Sequence, residues 1–125
     1  EALDVLDTLL AKYPEHVRQR AGRAVLLARA RKDAAALADA EQVVRTADPV
    51  KDTFALYQVA GAYALLSQRD RRHRKTALDL LAQALRLDPA LINTTLIDPE
   101  LRPFEGDREF EQLRAAAAVL ARPKK

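Results

Sequence analysis

Cysteine, methionine and tryptophan are absent from this 125-residue chain, glycine occurs three times and histidine twice. Each shortage closes a class of function. Without cysteine there is no disulfide framework, no thiolate nucleophile and no Cys-ligated zinc or iron–sulfur centre. The two histidines, His16 and His73, fall in different turns, so no His-x₃-His spacing supplies the ligands a metal needs. The glycines form no phosphate loop, and the lone serine, Ser67, lacks the G-x-S-x-G elbow of an activated nucleophile. No apolar run approaches the ~20 residues of a membrane span, and the start lacks the charged-then-apolar order of a signal peptide. These absences lead us to expect a cytoplasmic protein that is not an enzyme and holds neither cofactor nor metal.

Alanine, leucine and arginine are abundant, and aromatic residues make up 5% of the chain, so helix propensity is high almost throughout. The expected class is all-α. A chain of this length buries roughly 65–70% of its unfolded surface, enough for one core or one short stack of repeats. The net charge of +3 is mild, with acids and bases interspersed as on solvated helix faces. Because Glu1-Ala2-Leu3-Asp4 already belongs to an amphipathic pattern, the chain reads as a piece of something longer.

Apolar residues recur at helical spacing in three runs: Ala2, Leu3, Leu6, Leu9 and Leu10; Ala36, Leu37, Ala40, Val43 and Val44; Ala77, Leu78, Leu81, Ala84 and Leu85. Each run places them at i, i+1, i+4, i+7 and i+8, and each stops before a proline, Pro14, Pro49 or Pro89. Proline ends a helix because it lacks an N–H and pushes the preceding residue out of the α region. The leading alanines stand 34 and then 41 residues apart.

That period, with two helices per unit, resembles the tetratricopeptide repeat. Leu56, Val59, Ala60 and Tyr63 in "LYQVAGAYALL" are similar to the W-x₂-L-G-x₂-Y of that family, with leucine for tryptophan and alanine for glycine. The helix before it, within 17–32, has two possible registers, one turning Arg20 and Arg23 inward and the other Ala21, Ala24, Val25 and Ala28. Residues 54–113 resemble more closely the closing repeats of large bacterial multidomain proteins, serine/threonine protein kinases among them. No kinase Gly-rich loop, His-Arg-Asp or Asp-Phe-Gly is present. The resemblance implies a right-handed α-solenoid of antiparallel helix pairs over 1–90, its first repeat truncated to the second helix. A cap over 91–125 follows, with a helix at about 107–121. Asp98-Pro99 and Asp107 have the form of helix starts. Leu101, Phe104, Phe110 and Leu113 are expected to fold back over the last repeat.

The resemblance also implies where a partner sits, since the first helix of each tetratricopeptide pair lines a concave groove. Carried onto this chain, the groove candidates are Phe54, Tyr57, Gly61 and Ala64, with Arg18, Ala21, Val25 and Arg29 from the preceding helix. A protein or peptide is the expected partner, and a kinase domain of the same chain is one form it takes; a spacer packed on such a domain is the structural alternative. The Lys/Asn/Arg set that clamps a terminal carboxylate in some family members is missing, so chaperone tails are not expected. Nucleic acid is the runner-up class, through Arg69, Arg71, Arg72, Arg74 and Lys75 in "SQRDRRHRKT". It is disfavoured because no neighbouring aromatic offers base stacking. Tyr63 and Ala77 are 14 residues apart, about five more than the repeat needs, so the basic run either lengthens a helix or loops outward. It also stands ready to attract the acidic tail, where Asp98, Glu100, Glu105, Asp107, Glu109 and Glu111 cluster.

Overall fold

In the computed structural model, which describes residues 3–5, 7, 8, 16–95 and 98–121, every regular element is helical. Four helices form two hairpins: α1 (Val17–Arg29) with α2 (Asp33–Thr46), and α3 (Thr53–Ser67) with α4 (His73–Leu87). A 3-10 turn at Pro89–Leu91 leads into the short α5 (Ile92–Thr95), a second 3-10 turn at Pro99–Phe104 follows, and α6 (Arg108–Leu120) ends the described chain. Residues 3–5, 7 and 8 are helical as well. The rest of the first apolar run, with Pro14, lies outside the described residues, as do 122–125.

The hairpin turns follow from local chemistry. After α1 the chain passes through Arg31 at φ 61°, the left-handed region. There Lys32 N–H bonds Leu27 C=O at 2.9 Å and Arg31 N–H bonds Ala28 C=O at 3.1 Å, so two of the last carbonyls of α1 are satisfied. The turn after α2 is held by its own aspartates: Asp48 accepts from Val50 N–H at 3.0 Å, and Asp52 accepts from Asp48 N–H at 2.9 Å. Asp98 and Asp107 cap the elements that follow them, accepting from Glu100 N–H at 3.0 Å and Phe110 N–H at 3.1 Å.

α3 is at the centre. It touches α1, α2, α4 and the Pro99–Phe104 turn, and is buried on almost every side. Ala55, Ala60, Gly61, Ala62 and Ala64 keep it slim enough for that. Against it α4 packs Ala77, Leu78, Leu81, Ala84 and Leu85. The last helix rests on α4 around Leu85, through Leu113 and Ala117, while Leu101, Phe104 and Phe110 are all but fully buried. Each such side chain contributes about 1.5–3 kcal/mol of burial.

Between α1 and α2 the structure decides the register that the sequence leaves open. Ala21, Ala24 and Ala28 are buried, while Arg20 and Arg23 run along the seam toward Asp39, which is 4% exposed. Arg23 grips that carboxylate with two prongs, at 2.6 and 2.8 Å, and Arg20 adds a third contact at 3.1 Å. The Arg23 guanidinium also reaches Asp7 at 3.0 Å.

Three variants test these assignments. Removing a buried ion's partner strands the charge left behind. Asp39→Ala is therefore expected to cost about 3 kcal/mol in urea unfolding, and the triple change Arg20→Met, Arg23→Met, Asp39→Leu to recover most of it. A triple variant no more stable than Asp39→Ala would show that the cluster does more than neutralise itself. Arg31→Gly should raise stability by about 1 kcal/mol, since glycine takes the left-handed region without a Cβ clash; an unchanged midpoint argues that Arg31 is not strained.

Candidate functional site

Phe54, Tyr57, Gly61 and Ala64 are spaced at i, i+3, i+7 and i+10, which puts them on one stripe of α3. The structure treats them unequally. Phe54 is 54% exposed, whereas Tyr57 is 3% exposed and Ala64 fully buried. What covers the latter part of the stripe is the chain's own segment Asp98–Phe104, a strap laid along α3.

Contacts along the strap are specific. Tyr57 Oη donates to Asp98 Oδ2 at 2.7 Å. Glu100 sits over Gly61, where a Cβ would come within 3.1 Å of the glutamate Cβ. An alanine at 61 would require Glu100 to give by a few tenths of an ångström. The Glu100 carboxylate is paired through Oε1 with Arg29 from the end of α1. Arg29 itself has a half-exposed side chain.

The two carboxylates are driven apart in acidity. Burial opposes ionisation of Asp98, but hydrogen bonds from Glu100 and Tyr57 outweigh it and hold this carboxyl below the usual range. Burial, reinforced by the neighbouring Asp98, pushes Glu100 up. The same burial, with Asp98 beside it, pushes the Tyr57 phenol far up, so it remains a donor.

Beside the strap a cleft of about 180 Å³ stays open. Its walls are Val25 and Arg29 of α1, Phe54 and Gln58 of α3, Thr94 of α5, and the edge of the strap. The Phe54 ring stacks on Tyr57, with centroids 5.8 Å apart and planes at 26°. Arg18 and Gly22 lie further along α1, outside the cleft walls; a Cβ on Gly22 would meet nothing within 4 Å. Ala21 faces the core. Thus Arg29, Phe54, Tyr57 and Gly61 converge on one place, and Arg18 and Ala64 do not.

The basic run divides between a turn and a helix, because α4 already begins at His73. Most of its charges are internally satisfied. Arg69 forks onto Asp33 at 2.7 and 2.8 Å and also donates to Ala28 C=O at 3.1 Å, tying three elements together. Arg72 pairs with Asp70 and holds that exposed carboxyl down at about 2. Arg74 binds Asp107 and, at 3.4 Å, Glu109, and Lys75 pairs with Asp79 at 2.8 Å. Among the described residues the Arg71 side chain makes no ion pair or hydrogen bond, while its carbonyl accepts from Arg74 N–H at 3.1 Å. Nor does any group of three or more His, Asp or Glu residues suited to a metal occur among them, and no helix is long and apolar enough to cross a membrane.

The chain matches no protein family, no curated protein and no solved structure.

The resemblance to the repeat pointed to Phe54, Tyr57, Gly61 and Arg29 as groove residues, and gave no sign of Asp98 and Glu100 as their partners. The available signal was a Pro-interrupted acidic segment facing a helix that ends its small-residue stripe in Gly61. A carboxyl whose pKa is raised on folding binds protons more readily in the folded state, so stability falls as pH climbs through its folded pKa. Wild type should therefore lose melting temperature as pH rises above the ordinary glutamate range through Glu100, while Asp98, shifted the opposite way, loses stability only in stronger acid. Glu100→Gln keeps the shape without the charge and should flatten the alkaline slope. A variant that melts lower than wild type at pH about 8 would mean that the Arg29 pair outweighs the burial penalty.

Proposed function

We propose that this chain is a non-catalytic protein-interaction module of tetratricopeptide-like build, taking a peptide or partner domain against the face formed by α1 and α3. The observation that carries this reading is Phe54. A phenylalanine 54% exposed, stacked on a buried tyrosine at the rim of a cleft, is a preformed apolar anchor with a cation, Arg29, across from it. The paired helices and the 34-residue spacing support the solenoid reading.

A structural-spacer role has one observation in its favour: the strap already covers Tyr57 and Gly61, as expected of a face committed to internal packing. Nucleic-acid binding has less support, because Arg69, Arg72, Arg74 and Lys75 are engaged with acids of the same chain and a polyanion would have to displace them.

Panning a phage-displayed random peptide library separates the first two readings. An interaction module should enrich a consensus that binds wild type and weakens roughly tenfold or more on Phe54→Ser, as expected for loss of one apolar anchor. Melting should hardly change, because the ring is largely in solvent. A library that yields no consensus, or one indifferent to Phe54, favours the spacer.

A further inference from the structure

Asp98–Phe104 lies on α3 as a bound peptide would. It is a 3-10 segment, with a proline at each end, instead of a helix packing by its ridges. Its recognition is ordered along the groove. Tyr57 Oη takes the first carboxylate, that of Asp98, at 2.7 Å. The bare backbone of Gly61 admits Glu100, which turns its own carboxylate to Arg29. Leu101 and Phe104 then bury their side chains, Phe104 beside Ser67 and Gln68 at the end of α3.

We propose that the α1–α3 groove recognises protein segments of the pattern acid–Pro–acid–Leu, and that Asp98–Phe104 is its resident competitor, which must lift for a partner segment to enter. This rests on the interaction-module reading above and names the chemistry of the partner. Three observations make the exchange physically reasonable. The resident Glu100 is buried, so desolvation opposes its ion pair with Arg29. Arg29 has a half-exposed side chain, so its guanidinium is open to a second carboxylate from solvent. Phe54 continues the stripe beyond Tyr57 and stays exposed, so a partner with an apolar residue ahead of its first acid gains a contact there.

The tether sets the terms of the competition. A segment joined to its own groove by a short linker acts at an effective concentration of about millimolar. An incoming segment sees its affinity reduced by the fraction of molecules in which the groove is open. Weakening the strap without touching the groove should therefore tighten binding in trans.

The probe is a fluorescein-labelled peptide of residues 98–105, titrated by anisotropy against the whole chain. Asp98→Ala removes the acceptor of Tyr57 and the cap of the strap; Glu100→Lys sets a cation against Arg29. Both leave the groove residues unchanged. Each is expected to bind the peptide at least tenfold more tightly than wild type, with a scrambled peptide showing no gain. Adding Arg29→Ala to Asp98→Ala should abolish the improvement. Equal affinity in wild type and variants, or no binding by variants that retain their helicity, overturns the proposal. Hydrogen exchange of the wild-type chain decides the matter even where a variant does not fold: the amides of Glu100, Leu101, Arg102 and Phe104 must exchange faster than those of α3 and α4, and exchange only at the global rate means that the strap does not lift. If library-selected peptides bind at Phe54 while the strap peptide binds no variant, this inference fails and the interaction-module reading stands.

Discussion

The closeness with which neighbours approach α3 governs the rest of the structure. Helices pack at about 8–10 Å between axes, and the lower end of that range requires small side chains at the contact. Ala55, Ala60, Gly61, Ala62 and Ala64 meet that need, so α1, α2, α4 and the strap all close on one helix. Because apolar residues then surround α3, it has no solvent face of the ordinary kind. Away from its ends its polar groups are the hydroxyls of Tyr57 and Tyr63 and the amide of Gln58, which looks into the open cleft.

Arginine cross-ties these close-packed elements. Arg23 and Arg20 join α1 to Asp39 of α2; Arg69 joins the start of α4's hairpin turn to Asp33 and to a terminal carbonyl of α1; Arg74 joins α4 to Asp107 at the start of α6. A planar guanidinium with several fixed donors suits such two-pronged and bridging contacts better than a lysine ammonium. Charge density in the sequence is therefore a poor guide to charge displayed for a partner. The run from Arg69 to Lys75 is dense in basic residues, yet its cations are mostly spent within the molecule.

The elements themselves were legible. Helical runs stopping before Pro49 and Pro89 correspond to α2 and α4, and the aspartate-led starts at Asp98 and Asp107 are caps in fact. Local rules of propensity, capping and proline geometry act within a few residues, so a linear reading captures them. Asp39 was not legible as a buried residue, although it stands three positions after buried Ala36 and four before buried Val43. A hydrophobic pattern skips an aspartate unless its arginines, 16 and 19 residues away, are known to lie opposite. The candidate groove was half legible for the same reason: the family resemblance pointed to Phe54, Tyr57 and Gly61, but the partner of Tyr57 comes from 41 residues further along, at Asp98.

By itself, the sequence determined that the class is all-α, where α2 and α4 run, and that Asp98 and Asp107 begin the elements that follow them. Those are consequences of period, propensity and capping, whose physics is local. Tertiary structure alone decided that alanines and not arginines of α1 enter the core, that the basic run is tied to the acids around it, and that Asp98 and Glu100 lie over Tyr57 and Gly61. Each of those is a choice among long-range pairings, set by which side chains fit and which charges meet once the helices close. A one-dimensional pattern carries no record of that choice.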